Sequence, residues 1–285
     1  MSVSIIQQRI EHYQCKTVLD EEHALKEITQ EVVLMALSRA NFFRVAEFHG
    51  GTALRILYGL PRFSEDLDFA LLHAEKDFSW QNYFTAIDDE LKNYGYTAEL
   101  QDRSKSNQAV KKAFLKDNSV GKVLVFKYPN ILHFKKIKIK LEIDTQPPLG
   151  AVSEIKYLDF PLPFGVRVQT LPSAFAGKIH AVLCREYLKG RDWFDFVWYV
   201  SQRTPVNYWL LQNALQQSGP WQKQKFTVNK TWLLGALTTK ITATNWQQAS
   251  EDVRYFLQPA EQKSLAVWST EFFLSLITKM SEYLL

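Results

Sequence analysis

Residues 50–69 read GGTALRILYGLPRFSEDLDF, and this stretch decides the fold. Its end alternates: Leu67, Phe69 and Leu71 fall on one face, Asp66, Asp68 and Ala70 on the other. That is the period-2 pattern of a half-buried strand. Side chains two apart on a strand leave the same face, about 6–7 Å apart at the backbone, so Asp66 and Asp68 can converge on divalent cations. Paired metals about 3.5–4 Å apart clamp the attacking and leaving oxygens of phosphoryl transfer. Upstream, Gly50-Gly51 separates a predicted short strand, 44–48, from a predicted brief helix, 52–58, stopped near Gly59 and Pro61. Paired glycines let backbone N–H groups approach a phosphate, and the helix start at Thr52 adds a favourable dipole. A lone Asp-x-Asp is usually a strand-edge pair and a lone Gly-Gly a tight turn. The succession strand, Gly-Gly, short helix, strand with Asp-x-Asp is far more specific.

Around this stretch the chain reads as mixed α/β. Asp20, Glu21 and Glu22 suit a helix start, and Leu25, Ile28, Val32 and Met35 at helical spacing carry it to about Ala40. Ser79 is the predicted cap of a helix striped by Phe84, Ile87, Leu91 and Tyr94 and closed by Gly95. Residues 120–126 are a predicted strand, and 136–144 the clearest one. There Ile137, Ile139, Leu141 and Ile143 face inward, while Lys136, Lys138, Lys140, Glu142 and Asp144 face out. Asp144 ends that strand on its polar face, placed to complete a metal site or to take a proton from an attacking hydroxyl. Pro147, Pro148, Gly150, Pro161 and Pro163 mark a loop-rich passage, and beyond Thr170, with Pro172 near a first turn, the pattern is helical. The expected division is therefore residues 1–160, an α+β domain with a small mixed sheet, and residues 161–285, a mainly helical domain.

The composition excludes several classes. With 46% hydrophobic residues, 11 Gly and 10 Pro in 285 residues, the chain is neither disordered nor collagen-like. Cys15 and Cys184 form no CxxC, the six histidines have no metal-ligand spacing, and no uninterrupted apolar run reaches 18 residues. The N-terminal stretch lacks the pattern of a secretory signal, so a soluble, cytoplasmic protein with no membrane partner is expected. The net charge of +4 hides an uneven distribution: residues 103–140 hold eleven Lys and Arg against one acid, Asp117, or 11 − 1 = +10. Such a block suits a polyanion, or else a lysine-guarded strand edge. Trp209, Trp221, Trp232 and Trp246 lie in an acid-free stretch, 201–250, and read more readily as helical packing than as platforms for RNA bases.

Residues 50–69 resemble the signature of the AbiEii/AbiGii toxin family, type IV toxin–antitoxin proteins within the DNA polymerase β-like nucleotidyltransferases. The superfamily pattern is Gly-[Gly/Ser], a spacer, then Asp-x-[Asp/Glu]; here 14 residues separate Gly51 from Asp66. A second block, FAGKIHAVLCREYLKGRDWFDFVWYV at 175–200, is similar to the family's Lys…Arg…Arg-Asp-x-x-Asp motif. The resemblance implies a polymerase β-like domain followed by helices that contribute to the active site. It implies that Gly50, Gly51 and Thr52, with Arg62 and Ser64, bind the nucleotide phosphates. Asp66, Asp68 and Asp144 would be the metal-binding acids for Mg2+ or Mn2+. Lys178, with Arg185, would contact the triphosphate, and Asp192 or Asp195 would complete the catalytic set. A nucleoside triphosphate substrate, an RNA acceptor such as the tRNA 3′ end, and a cognate antitoxin of the DNA-binding repressor type follow from the same resemblance.

By spacing alone, Lys178 and Arg185 are seven apart and would share a helical face, as would Asp192 and Asp195, three apart. The plainer alternative is an exposed Arg191–Asp195 pair worth tenths of a kcal/mol. His49 stands before the glycines where many relatives carry a lysine or a small residue. Two rival functions use the same residues: a nucleotidyltransferase that modifies a protein or small molecule, and a nucleotide- or RNA-binding module without turnover.

Overall fold

The structure is a computed structural model that describes residues 2–105, 108–126 and 137–285. It opens with a helix that the sequence pattern does not announce, α1 (Ser2–His12), followed by α2 (Val18–Arg39). Helix α2 starts earlier than its acids suggested because Thr17 is the cap: its hydroxyl accepts the Asp20 N–H and the Asp20 carboxylate accepts the Thr17 N–H in return. Residues 32–37 are all fully or almost fully buried, which makes α2 the central helix of its unit, packed on α1 and on later elements. Strand β1 (Ala46–His49) runs directly into α3 (Gly50–Tyr58), and β2 (Asp66–Leu71) follows.

Next come α4 (Gln81–Asn93), β3 (Ala98–Asp102), β4 (Val110–Asp117), α5 (Val120–Val123) and β5 (Ile137–Asp144). Two expectations fail here. The α4 cap position is Trp80, without a side-chain cap, and Ser79 Oγ accepts from Gln81 N instead. The predicted strand at 120–126 is a short helix, because the Asp117 carboxylate accepts the N–H groups of Ser119 and Val120 and turns the chain over. Strands β6 (Ser153–Leu158) and β7 (Phe164–Gln169) occupy the passage that prolines had marked as loop.

Among the described residues, the strands form one mixed sheet in the order β3-β4-β5-β2-β1-β7-β6. Strand β2 pairs antiparallel with β1 and parallel with β5, while β4 runs antiparallel to both β3 and β5. One face carries Leu67, Phe69 and Leu71 from β2 and Ile139, Leu141 and Ile143 from β5, all buried. Phe42, Phe48, Phe69 and Trp80 interlock there, with ring centroids 4.9 Å (Phe42–Phe69), 5.2 Å (Phe48–Phe69) and 5.7 Å (Phe42–Trp80) apart. A one-residue slip of β2 would turn its apolar set outward, so this core fixes the face on which Asp66 and Asp68 lie.

The remaining helices are α6 (Leu171–Cys184), α7 (Gly190–Ser201), α8 (Tyr208–Gln217), α9 (Lys230–Thr242), α10 (Trp246–Arg254), α11 (Pro259–Gln262) and α12 (Thr270–Tyr283). Their packing absorbs most of the tryptophans: Trp246 stacks on Phe273 at 3.7 Å, and Trp232 lies against Trp221 and Phe226. Trp209 differs, being 63% exposed. The chain divides into two compact units. The first comprises residues 1–59, 63–147 and 154–168, the second 60–62, 148–153 and 169–285. No helix among the described residues is long and apolar enough to cross a membrane.

Candidate active site

In the first unit the register brings the glycines and acids together. His49 on β1 pairs with Asp68 on β2, so the next residue, Gly50, begins α3 against the Asp68 side chain. Gly50 has φ +79°, and a Cβ built on it would stand 2.6 Å from Asp68 Oδ2. Only glycine fits both the backbone angle and the space. Gly51 and Thr52 are buried, and the Thr52 hydroxyl donates to the Asp66 carbonyl, tying the first turn of α3 to the start of β2. The helix has no side-chain cap at His49, and the first N–H groups of a helix are suited to an anion.

Asp66 and Asp68 leave the same face of β2, both half-buried. Burial and then the Asp68 charge push the Asp66 carboxyl above its ordinary range, while Lys140 draws it down. The loop before them is braced from α2: Gln30 Nε2 donates to the Ser64 carbonyl at 3.1 Å, and Lys26 pairs with Glu65 at 3.0 Å. Arg55 of α3 pairs with Glu27 at 2.8 Å and lies over the Phe63 ring at 4.5 Å.

Across from these acids runs β5. Asp66 faces Lys140, Asp68 faces Glu142 and Ala70 faces Asp144. The carboxylate directly opposite Asp68 is therefore Glu142, which by sequence reads only as an outward residue. Its partners are Lys140 and, at 3.1 Å, Lys112; against the effect of burial, these two hold its carboxyl below the usual range. Asp144 lies one alternate position further along, with Oδ1 accepting the Gln146 N–H at 2.9 Å. Only pairing between strands distant in sequence reveals Glu142; its place on the polar face of the alternating strand was the available signal.

The second unit holds the other motif, and there Lys178, Arg185, Asp192 and Asp195 are all in ion pairs. Asp195 is fully buried, with Arg62 donating to both its oxygens at 2.6 and 2.7 Å and Lys178 adding a contact at 2.8 Å. Asp192 takes Lys178 at 2.7 Å and Arg185 at 2.7 Å. Burial alone would raise both carboxyls. Lys178 and Arg185 outweigh it at Asp192, and Arg62 and Lys178 at Asp195, so both are held low. Lys178 in turn is held charged, its burial overcome by the two aspartates. The exposed Arg191–Asp195 pair is not formed: Arg191 lies over the Phe256 ring at 4.0 Å. Nor do Lys178 and Arg185 share a helical face, because α6 ends at Cys184 and Arg185 is extended; the two converge only through Asp192.

A mixed sheet whose second strand carries paired aspartates beside a glycine-initiated helix is the arrangement of a nucleotidyltransferase. The profile described as "Nucleotidyl transferase AbiEii toxin, Type IV TA system" matches residues 32–274, and the chain belongs to that family. No curated protein matches it. Among solved structures, JHP933 from Helicobacter pylori is similar at 17% identity and a TM-score of 0.54, covering 92% of this chain and 94% of that one. A second H. pylori structure, described as a "putative nucleotidyltransferase", reaches a TM-score of 0.50 at 17% identity over 89% and 90% of the two chains. At that identity the likeness concerns the fold.

Three outcomes follow from this geometry. Gly50→Ala should cost about 1–3 kcal/mol of stability and at least about tenfold in turnover, read by urea unfolding and by nucleotide transfer. Ionised Asp66 opposes folding: with its folded-state pKa raised, the penalty is fully present above that pKa and vanishes below the unfolded-state value. Asp66→Asn should therefore melt higher than wild type at pH 7, by about 2–4 °C per kcal/mol relieved, and the gap should close as the pH is lowered. Asp195→Ala leaves Arg62 and Lys178 buried without their shared partner and should cost about 3–5 kcal/mol in urea unfolding.

Proposed function

We infer that the protein transfers a nucleotide from a nucleoside triphosphate to an RNA hydroxyl, with the tRNA 3′ end as the favoured acceptor and pyrophosphate as the leaving group. The observation that carries this reading is the Gly50–Asp68 contact, which sets the open start of α3 beside two carboxylates on one strand face. No three His, Cys, Asp or Glu among the described residues form a ready-made metal cage. Mg2+ and Mn2+ can bind through one or two carboxylates and complete their shell with water and substrate phosphates. Asp66 and Asp68 supply hard oxygen donors, and their mutual repulsion is relieved by a cation. Bound there, the ion would neutralise phosphate charge and polarise the reacting oxygens.

The chain's own part is positioning and charge. Backbone N–H groups of Gly50, Gly51 and Thr52 receive phosphate oxygens, and Ser64 donates to them. The acceptor oxygen bonds to the α-phosphorus, the bond from that phosphorus to the bridging oxygen breaks, and pyrophosphate departs. Asp144 takes the proton of the attacking hydroxyl. Glu142 competes for that role by its place opposite Asp68, and the single variants Asp144→Ala and Glu142→Gln decide between them: the base is the one whose loss removes turnover while triphosphate binding persists. In the second unit, Lys178 serves turnover, and Asp192 and Asp195 act as positioning residues. A type IV toxin acts within reach of an antitoxin, here a repressor of the DNA-binding kind, in the cytoplasm.

Purified protein given Mg2+ and each of the four labelled triphosphates is expected to label total RNA, with Asp66→Ala abolishing the label. Label confined to protein would transfer the reading to protein modification, and the absence of any triphosphate binding would remove the enzyme reading. Expression of the wild type should inhibit growth and Asp68→Ala should not; equal inhibition by both would exclude catalytic toxicity.

A further inference from the structure

The polar face of the sheet continues past the acids into a different surface. Asp66 on β2, Lys140 on β5, Phe114 on β4 and Gln101 on β3 lie in one row across four strands. At about 4.8 Å per strand, Phe114 stands about 10 Å from Asp66 along the sheet. Flanking it on the same face are Lys112 and Lys116 of β4, Lys138 of β5, and Arg103 just beyond β3. The acids among them are Glu99, opposite Lys116, and Glu142, already bound by Lys112 and Lys140. Charge on this face thus changes from negative at Asp66 and Asp68 to positive around Phe114. Lys127, Lys135 and Lys136 of the basic block lie outside the described residues, and Lys111 is buried on the opposite face with Nζ donating to the Lys105 carbonyl.

Phe114 itself is unusual. It is half-buried, its row neighbours are Gln101 and Lys140, and it is not among the residues packed on the hydrophobic core. Two cations stand over its ring: Lys138 Nζ at 5.0 Å from the centroid and the Arg103 guanidinium at 5.5 Å. Lysines that merely guard a sheet edge would account for the charge but not for an aromatic ring set among them. A ring bordered by cations on long side chains is what a single-stranded nucleic acid uses, one base stacking on the ring and its phosphates meeting the cations.

We propose that this face seats an unpaired stretch at the reacting end of the RNA acceptor, with a base stacked on Phe114 and its flanking phosphates held by Arg103, Lys116 and Lys138. The inference rests on the RNA-transfer reading above and adds to it where the acceptor lies and that it must be unpaired, since a base within a duplex presents no free face. When the base arrives, a cation over the ring gives up its place and swings to a phosphate.

The test is fluorescence anisotropy of a labelled single-stranded oligoribonucleotide titrated with full-length protein, beside triphosphate binding and transfer kinetics. Phe114→Ala should weaken oligonucleotide binding about tenfold or more, and Phe114→Trp should restore it. Arg103→Ala and Lys138→Ala should each lower the salt slope of log K by about 0.7 for every phosphate no longer neutralised. Triphosphate affinity should be unchanged in all four variants, which also reports that the fold is intact. Oligonucleotide binding by Phe114→Ala equal to wild type, or a loss matched on duplex RNA and heparin, would overturn the stacking site and leave a plain electrostatic patch. If wild type labels RNA and Phe114→Ala does so with the same KM, this inference falls while the transfer reading stands. If wild type labels only protein, the transfer reading falls, and the acceptor role falls with it.

Discussion

Two carboxylates fixed side by side on one strand face repel each other, and much of the first unit exists to hold them there. Their spacing follows from the strand period, but their company does not. The Phe42, Phe48, Phe69 and Trp80 rings lock β2 into one register with β1, and that register delivers Gly50 to within contact of Asp68. Shifted by one residue, the acids would enter the core and the glycine would meet a different side chain. The bracing of Ser64 and Glu65 by Gln30 and Lys26 serves the same end from the other side.

The two units manage charge in opposite ways. In the second, Asp192 and Asp195 are closed in by three cations, so their energy is spent on mutual order, and the network has little left to offer unless a ligand replaces a partner. In the first, Asp66 carries an ionisation cost that Lys140 lessens. A carboxyl raised by burial and a like charge is a feature common at functional sites.

Elements ruled by a short, clean period were legible in the sequence: β2 and β5 through alternation, α2 through its apolar spacing, and the run from Gly50 to Asp68 through its order. Strand β4 was missed because Lys111 and Asp117 occupy its buried positions and spoil the alternation. Residues 120–126 misled because a short apolar run suits either secondary structure, and the deciding bond came from Asp117, outside the run. Of the candidate site, the motifs and their order could be read, but the placement of Glu142 opposite Asp68 and of Arg62 on Asp195 could not. Those depend on strand pairing and on a contact 133 residues apart, which no local pattern encodes.

The assignment of residues 60–62 and 148–153 to the second unit has a consequence for dissecting the protein. Both pieces lie between segments of the first unit in chain order, so the two units are interleaved. No single cut yields two complete fragments. A truncation after the last strand strips Asp195 from Arg62, and a fragment beginning there leaves Asp195 without the guanidinium that grips both its oxygens. On the ribosome, Arg62 is made 133 residues ahead of its partner. The second unit is therefore not contained in its own contiguous tail: it draws on residues made before Asp195, and the two units share one interleaved chain.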